Sequence, residues 1–80
     1  MVEIFETLKN ILVNQFQVDA DLVQLESTLP ELGLDSLSLM EFIFAAEDAF
    51  NLRIPEARLG DNMSEITLHK VCTEIDALIN

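Results

Sequence analysis

The N-terminal part of the chain has hydrophobic residues spaced like one face of an α-helix. The apolar positions are separated by three or four residues: Phe5, Leu8, Leu12 and Phe16. This period places all of them on one side of a helix, whereas a half-buried strand would show strict alternation. The pattern predicts a helix from about Glu3 to Gln17.

The C-terminal segment has the same helical spacing. Its apolar residues form one continuous stripe: Leu68, Val71, Cys72, Ile75 and Leu78. Thr67 precedes the stripe, and threonine is a residue type that caps helix N-termini. We therefore expect a final helix from about Leu68 to Ile79.

A long connection, residues 18–35, follows the first helix. It is rich in residues that favour turns: Asp19, Asp21, Ser27, Thr28, Pro30 and Gly33. Its apolar residues should hold it against the body of the protein: Val23, Leu25, Leu29, Leu32 and Leu34. Connections of this length in small domains are more often functional than idle.

A second helix should run from Ser36 to about Asn51, with Asp35 as N-cap and Pro55 enforcing a stop soon afterwards. A short third helix is expected at roughly Glu56 to Asn62. No segment shows strand-like alternation. The predicted fold is all-α: a small four-helix bundle of three principal helices and one short helix, with a long first loop, forming a single domain over residues 1–80.

The second helix carries two apolar stripes. With about 100° between successive residues, one side collects a core face: Leu39, Phe42, Ile43, Ala46, Ala49 and Phe50. The opposite side mixes apolar and acidic residues: Leu37, Met40, Glu41, Phe44, Glu47 and Asp48. Three acids would not be buried unpaired, so we expect a solvent-facing patch of the kind that marks interaction sites. Burial of Met40 and Phe44 in the core is the alternative.

Ser36 stands where the second helix begins, and its position has two interpretations. It could share N-capping with Asp35, the usual role of a serine there. It could instead present its hydroxyl beside the backbone N–H groups at the positive end of the helix, where a phosphate ester would be stabilised.

Net charge is the strongest compositional signal. Fifteen acidic and four basic residues give a formal net charge of -11 among 80 residues. Phosphate binding needs a basic patch, so nucleic acid is not expected as a partner. Basic protein surfaces are expected partners, although the charge could also serve solubility alone.

Other features narrow the location and the chemistry. The N-terminus does not have the pattern of a signal peptide, and no apolar run approaches membrane-spanning length. The single cysteine, Cys72, has no partner for an internal disulfide, which favours a reducing, cytoplasmic setting.

Catalysis and metal binding find little support in the sequence. His69 is the only histidine, and GLDSL lacks the second glycine of the G-x-S-x-G elbow, so a serine hydrolase is not indicated. The Asp19-x-Asp21 pair lacks the glycine and distal glutamate of a calcium loop. We expect His69 at the surface, Cys72 as a buried thiol, no metal site and no enzymatic activity.

Three features together resemble an acyl carrier protein: the LGLDSL motif, the helix with Glu41, Glu47, Asp48 and Phe50, and the Ile54-Pro55 pair that follows it. The resemblance covers essentially the whole chain. It implies a four-helix bundle whose Ser36 carries 4′-phosphopantetheine, transferred from coenzyme A. It also implies that partner enzymes recognise Asp35 and the second helix. Those partners are a phosphopantetheinyl transferase and acyl-handling enzymes. The carrier itself is expected to be a monomer.

Several residues depart from many fatty-acid carriers. Ser38 stands where an acid often follows DSL, Leu34 is common in polyketide-type carriers, and Arg53 and Arg58 add positive charge to an often acidic region. The resemblance therefore leaves fatty-acid, polyketide and related lipid pathways open. A peptidyl or aminoacyl carrier is an alternative, although Gly-Gly does not precede the serine. A non-covalent acidic adaptor domain is another.

Overall fold

The computed structural model describes residues 2–59 and 65–79. Within these residues, four α-helices follow one another: α1 (Val2–Gln15), α2 (Ser36–Phe50), α3 (Glu56–Leu59) and α4 (Leu68–Ile79). Two 3₁₀ turns, Ala20–Leu22 and Pro30–Leu32, lie in the connection between α1 and α2. The predicted all-α fold, with three principal helices and one short one, is confirmed.

α1 ends two residues earlier than predicted. Gln17 has a left-handed backbone conformation (φ 56°), and the Val18 N–H donates to the Leu12 carbonyl at 3.0 Å. This turn reverses the chain. Phe16 therefore lies outside the helix, yet its ring still packs edge-on against Phe42, with the ring centroids 6.2 Å apart.

The core lies between α1, α2 and α4. The predicted stripe of α4 is confirmed, since Leu68, Val71, Cys72 and Ile75 are fully buried and Leu78 packs against them. In α1, Leu8 and Leu12 are fully buried, whereas Phe5 and Phe16 are only partly covered. Ile4 and Ile11 are also buried, because the buried face of α1 is wider than the four-residue stripe indicated.

The long connection is anchored as expected, with Val23, Leu29, Leu32 and Leu34 buried and Leu25 partly covered. Its backbone is also tied to the start of α4, which the sequence did not indicate. The Leu29 N–H donates to the Ile66 carbonyl at 2.9 Å, and the Leu68 N–H donates to the Ser27 carbonyl at 3.0 Å. These bonds fix the loop that leads into α2.

The other termini follow ordinary capping chemistry. Thr67 caps α4 as predicted, its hydroxyl accepting from the Lys70 N–H at 3.1 Å.

α3 is described as far as Leu59, and its predicted extension to Asn62 lies outside the described residues. Arg58 on α3 reaches Glu74 on α4, with nitrogen and oxygen 3.2 Å apart. In the described part of the chain, no helix is long and apolar enough to cross a membrane.

Candidate functional site

Asp35 and Ser36 have different roles at the start of α2. Asp35 is the N-cap, and its carboxylate accepts from the Ser38 N–H at 2.8 Å. Ser36 is the first helical residue and is exposed, and its hydroxyl has no hydrogen-bond partner among the described residues. Since Asp35 alone caps the helix, the Ser36 hydroxyl is available for chemistry.

The backbone before Asp35 is held firmly. Gly33 adopts a left-handed conformation (φ 89°) that disfavours other residues, and its N–H donates to the Pro30 carbonyl at 2.9 Å. Leu34 is then buried, 7% exposed. The turn between a buried leucine and a capped helix start fixes where the Ser36 hydroxyl emerges.

Two carboxylates near this turn are stabilised in their charged form. The hydrogen bond from the Ser38 N–H lowers the pKa of Asp35. Upstream, the Thr28 N–H donates to the Glu31 carboxylate at 2.8 Å, which lowers the pKa of Glu31. Together with the Thr28 hydroxyl, which accepts from the Glu31 N–H, this forms a capping box around the second 3₁₀ turn.

The outward side of α2 is confirmed as a mixed apolar and acidic surface. Leu37 is 71% exposed and Phe44 is 58% exposed, so the alternative of a buried Phe44 is wrong. Glu41 and Asp48 are exposed beside them, whereas Met40 and Glu47 are partly covered. We call these six residues the docking face: Leu37, Met40, Glu41, Phe44, Glu47 and Asp48.

The inward side needs one correction. Leu39, Phe42, Ile43 and Ala46 are buried and Phe50 packs against them, but Ala49 is exposed. Ala49 lies at the margin of the apolar stripe, and the neighbouring elements do not cover that margin in the last turn of α2. The prediction that Ala49 belongs to the core is therefore wrong.

The C-terminal end of α2 holds contacts that the sequence did not indicate. Asn51 ends the helix in a left-handed conformation (φ 54°) and donates its N–H to the Asp48 and Glu47 carbonyls. Glu47 also accepts from the Ile54 N–H through its side-chain Oε2, at 2.6 Å. Glu47 is therefore bonded to the loop after α2, unlike the other acids of the docking face.

Two cavities open at this end of the helix. The larger, about 480 Å³, has a mainly polar lining that includes Asp48, Asn51 and Arg53. The smaller, about 260 Å³, lies between α2 and α3 and is mainly apolar. Its walls are formed by Met40, Ile43, Phe44, Glu47, Arg53, Ile54, Pro55 and Leu59. Sequence reasoning missed both cavities, because they depend on how the loop folds back on α2.

The other candidate groups lie away from this site. Cys72 is fully buried on α4, and burial raises the pKa of its thiol to about 11, so it is a poor nucleophile. His69 is exposed, as expected. Among residues 2–59 and 65–79, no cluster of three or more His, Cys, Asp or Glu side chains could hold a metal ion.

Comparison with known proteins gives this geometry a family. The family described as "Phosphopantetheine attachment site" matches residues 6–74. The acyl carrier protein of Campylobacter jejuni (strain RM1221) is 39% identical over 75 residues, covering 92% of this chain and 94% of its own length. That of a Picosynechococcus species is 46% identical over 55 residues, covering 68% of each chain. The acyl carrier protein AcpXL of Brucella melitensis is 28% identical over 88 residues, covering 99% of this chain and 95% of its own length.

The chain belongs to the phosphopantetheine-binding acyl carrier family. By that membership it is a carrier and not an enzyme, and its cofactor is a covalently attached 4′-phosphopantetheine. Its partners include a phosphopantetheinyl transferase and acyl-handling enzymes. The start of α2 suits the group, since it combines an exposed hydroxyl that no other described residue bonds with the positive end of a 15-residue helix.

Proposed function

We propose that residues 1–80 form one acyl carrier domain that bears 4′-phosphopantetheine on Ser36 and presents acyl intermediates to biosynthetic enzymes. One observation carries the proposal. The Ser36 hydroxyl is exposed and unbonded among the described residues, while Asp35 does the capping that would otherwise occupy it.

The attachment chemistry is a phosphoryl transfer catalysed by the transferase. Ser36 Oγ loses its proton to a base of that enzyme and attacks the phosphorus bonded to the pantetheine oxygen. The bond breaks between that phosphorus and the oxygen that bridges it to the 5′-phosphate of the adenosine half, which releases adenosine 3′,5′-bisphosphate and leaves a phosphodiester on Ser36. The N-terminal end of α2 stabilises the negative phosphodiester through its backbone dipoles. When attached, the group supplies a terminal thiol that holds an acyl cargo as a thioester.

The docking face supports the second half of the proposal. Glu41 and Asp48 are exposed and form no ion pair with any described residue. Leu37 and Phe44 are exposed on the same side of the helix. We propose that partner enzymes meet this face with basic, partly apolar surfaces, since acidic fields accelerate encounters with such surfaces. Docking should be weak and fast, because the carrier must move from one enzyme to the next.

Several finer assignments belong to the same proposal. The carrier acts as a monomer in the cytoplasm, a location supported by the single buried cysteine. Its pathway is fatty-acid, polyketide or related lipid synthesis. The departures at Leu34, Ser38, Arg53 and Arg58 are compatible with a dedicated pathway.

Intact mass spectrometry after incubation with coenzyme A and a broad-specificity transferase tests the proposal. Wild type should gain the mass of one phosphopantetheine group. Ser36→Ala should gain none while retaining its helical circular dichroism. Ser38→Ala is the matched control, two residues along the same helix, and should be modified like wild type.

Two results would overturn the proposal. One is full modification of Ser36→Ala. The other is an unmodified wild type after treatment with several transferases that modify other carriers in parallel. The second result would favour a non-covalent adaptor that uses the docking face alone.

A further inference from the structure

We infer that Glu47 is a positioning residue, whose carboxylate holds the loop after α2 in the conformation that forms one wall of the open apolar cavity between α2 and α3. That this cavity would shield an acyl cargo rests on the proposed function. The positioning of the loop by Glu47 already applies to the protein before phosphopantetheine is attached. Glu47 thus differs in kind from Glu41 and Asp48, although all three belong to the docking face.

The contact that carries the inference is short and charge-assisted. Glu47 Oε2 lies 2.6 Å from the Ile54 nitrogen, across seven residues of sequence. Hydrogen bonds from a backbone N–H to a carboxylate are roughly twice as strong as those between neutral groups. The Glu47 carbonyl also accepts from the Leu52 N–H at 3.0 Å. Glu47 therefore binds the chain after α2 through both its backbone carbonyl and its side-chain carboxylate.

The loop needs such a partner because it has left the helix. Asn51 turns the chain through a left-handed conformation, so the residues after it cannot continue the α-helical hydrogen-bond ladder. Ile54 is 5% exposed, and a buried N–H without an acceptor would destabilise the loop. The carboxylate of Glu47 supplies that acceptor and fixes the direction of the chain into α3.

The cavity is built from the residues that this bond positions. Ile54, Pro55 and Leu59 form one wall, and residues of α2 form the other. Glu47 itself lies on the cavity edge, beside Phe44. At the far side, Arg58 binds Glu74 of α4. The N-terminal approach to α3 is thus tied to α2, and the body of α3 is tied to α4.

The other acids of the docking face provide the contrast. Glu41 and Asp48 are exposed, and neither side chain makes a hydrogen bond to another described residue. Removing their charge should change encounters with partners and leave the cavity intact. Removing the Glu47 carboxylate should open the loop.

The first test measures amide hydrogen exchange at Ile54 by NMR in the unmodified protein. Glu47→Ala removes the acceptor, Glu47→Gln keeps an acceptor oxygen without the charge, and Asp48→Ala is the control on the next residue. We expect exchange at Ile54 at least about tenfold faster in Glu47→Ala, a smaller change in Glu47→Gln and no change in Asp48→Ala. Circular dichroism checks that each variant keeps its helices.

The second test measures the cavity itself. Xenon binds apolar cavities, so its addition should shift the methyl NMR signals of Met40 and Leu59 in wild type and Asp48→Ala. In Glu47→Ala the shifts should be reduced. A third arm loads an octanoyl thioester and follows its cleavage by hydroxylamine, which should be faster in Glu47→Ala than in Asp48→Ala.

The outcomes separate this inference from the proposed function. Unchanged exchange at Ile54 in Glu47→Ala would overturn the inference, as would faster exchange with xenon shifts equal to those of wild type. A wild type that cannot be loaded contradicts the proposed function, and exchange and xenon binding still decide the role of Glu47. Equal hydroxylamine cleavage in both variants would show that the cavity does not shield the thioester.

Discussion

α2 and α4 are amphipathic helices of similar length that the protein uses in opposite ways. Along α4, every apolar residue from Leu68 to Ile75 is fully buried, and Glu74 is bonded to both Arg58 and Lys70. Along α2, Leu37 and Phe44 stay exposed beside acids that have no ion-pair partner among the described residues. α4 satisfies its side chains within the fold, whereas α2 leaves a surface to be satisfied by another molecule.

This difference separates what builds the fold from what serves the function. A helix needs one apolar face to join a core, and both helices have one. α2 also exposes Leu37 and Phe44 among its acids, starting next to Ser36, whereas the only large apolar residue strongly exposed in the described part of α4 is Ile79 in its last turn. Among the described residues, the exposed large apolar side chains are those of Val2, Leu22, Leu37, Phe44 and Ile79, and only Leu37 and Phe44 lie on the helix that begins at Ser36.

The largest expected effect comes from truncating the two helices in parallel. Ile75→Ala on α4 should lower the free energy of unfolding by about 2–5 kcal/mol, because Ile75 is fully buried. Leu37→Ala on α2 should change it by less than about 0.5 kcal/mol, because Leu37 is 71% exposed. Urea unfolding measures both. Equal destabilisation by the two substitutions would contradict the division between the helices.

Charge reversal on α2 should come next in size. Glu41→Lys with Asp48→Lys replaces attraction by repulsion at a basic partner, so modification by the transferase should slow at least about tenfold at low ionic strength. The difference should shrink as salt is added. Glu47 is left unchanged because of its bond to Ile54.

The matched control for charge reversal is Lys substitution at two acids outside the docking face, Glu3 and Glu6 on α1, which alters the net charge equally. A folded docking-face variant that is modified at the wild-type rate in low salt would show that the acids only solvate the surface.

Low pH should lower the free energy of unfolding by protonating carboxylates at the start of α2 and elsewhere in the fold. Hydrogen bonds or ion pairs lower the pKa values of Asp35, Glu31 and Glu74. A carboxylate with a lowered folded-state pKa contributes stability above its unfolded pKa, about 4, and loses it as the pH falls through the folded value. Stability should therefore fall steeply below about pH 4. Asp35→Asn should lessen that fall, as urea unfolding at each pH would show.

The smallest expected effect is on the melting temperature near neutral pH, and its source is the repulsion between the acidic groups of the protein. With a formal net charge of -11, added magnesium or moderate sodium chloride should raise the melting temperature by screening the acids. A melting temperature that is constant across these conditions would show that the charges are too dispersed to matter.

The fold was largely predictable because its helices follow local rules. The bounds of α4, and the start of α2 at Ser36, agree with the pattern of apolar residues and caps. The early end of α1 was not predictable, since Gln17 carries no sign of its left-handed conformation. The backbone bonds between the long connection and the start of α4 join distant segments and leave no periodic signal.

The candidate site divides in the same way. The exposure of Leu37 and Phe44 could be anticipated, because apolar residues interleaved with acids are poor core residues. The bond from Ile54 to Glu47 could not, since in sequence Glu47 looks like its neighbour Asp48. The two acids differ only because the loop after Asn51 folds back on one of them.

Locating the modification within the chain tests the central claim most directly. The chain has four serines: Ser27, Ser36, Ser38 and Ser64. Wild type loaded from coenzyme A should be digested and its peptides fragmented by tandem mass spectrometry under conditions that retain the phosphodiester. We predict one phosphopantetheine group per chain, with fragment ions that assign it to Ser36 alone. Assignment to any other residue, Ser38 included, would contradict the claim that the capped start of α2 presents the attachment site.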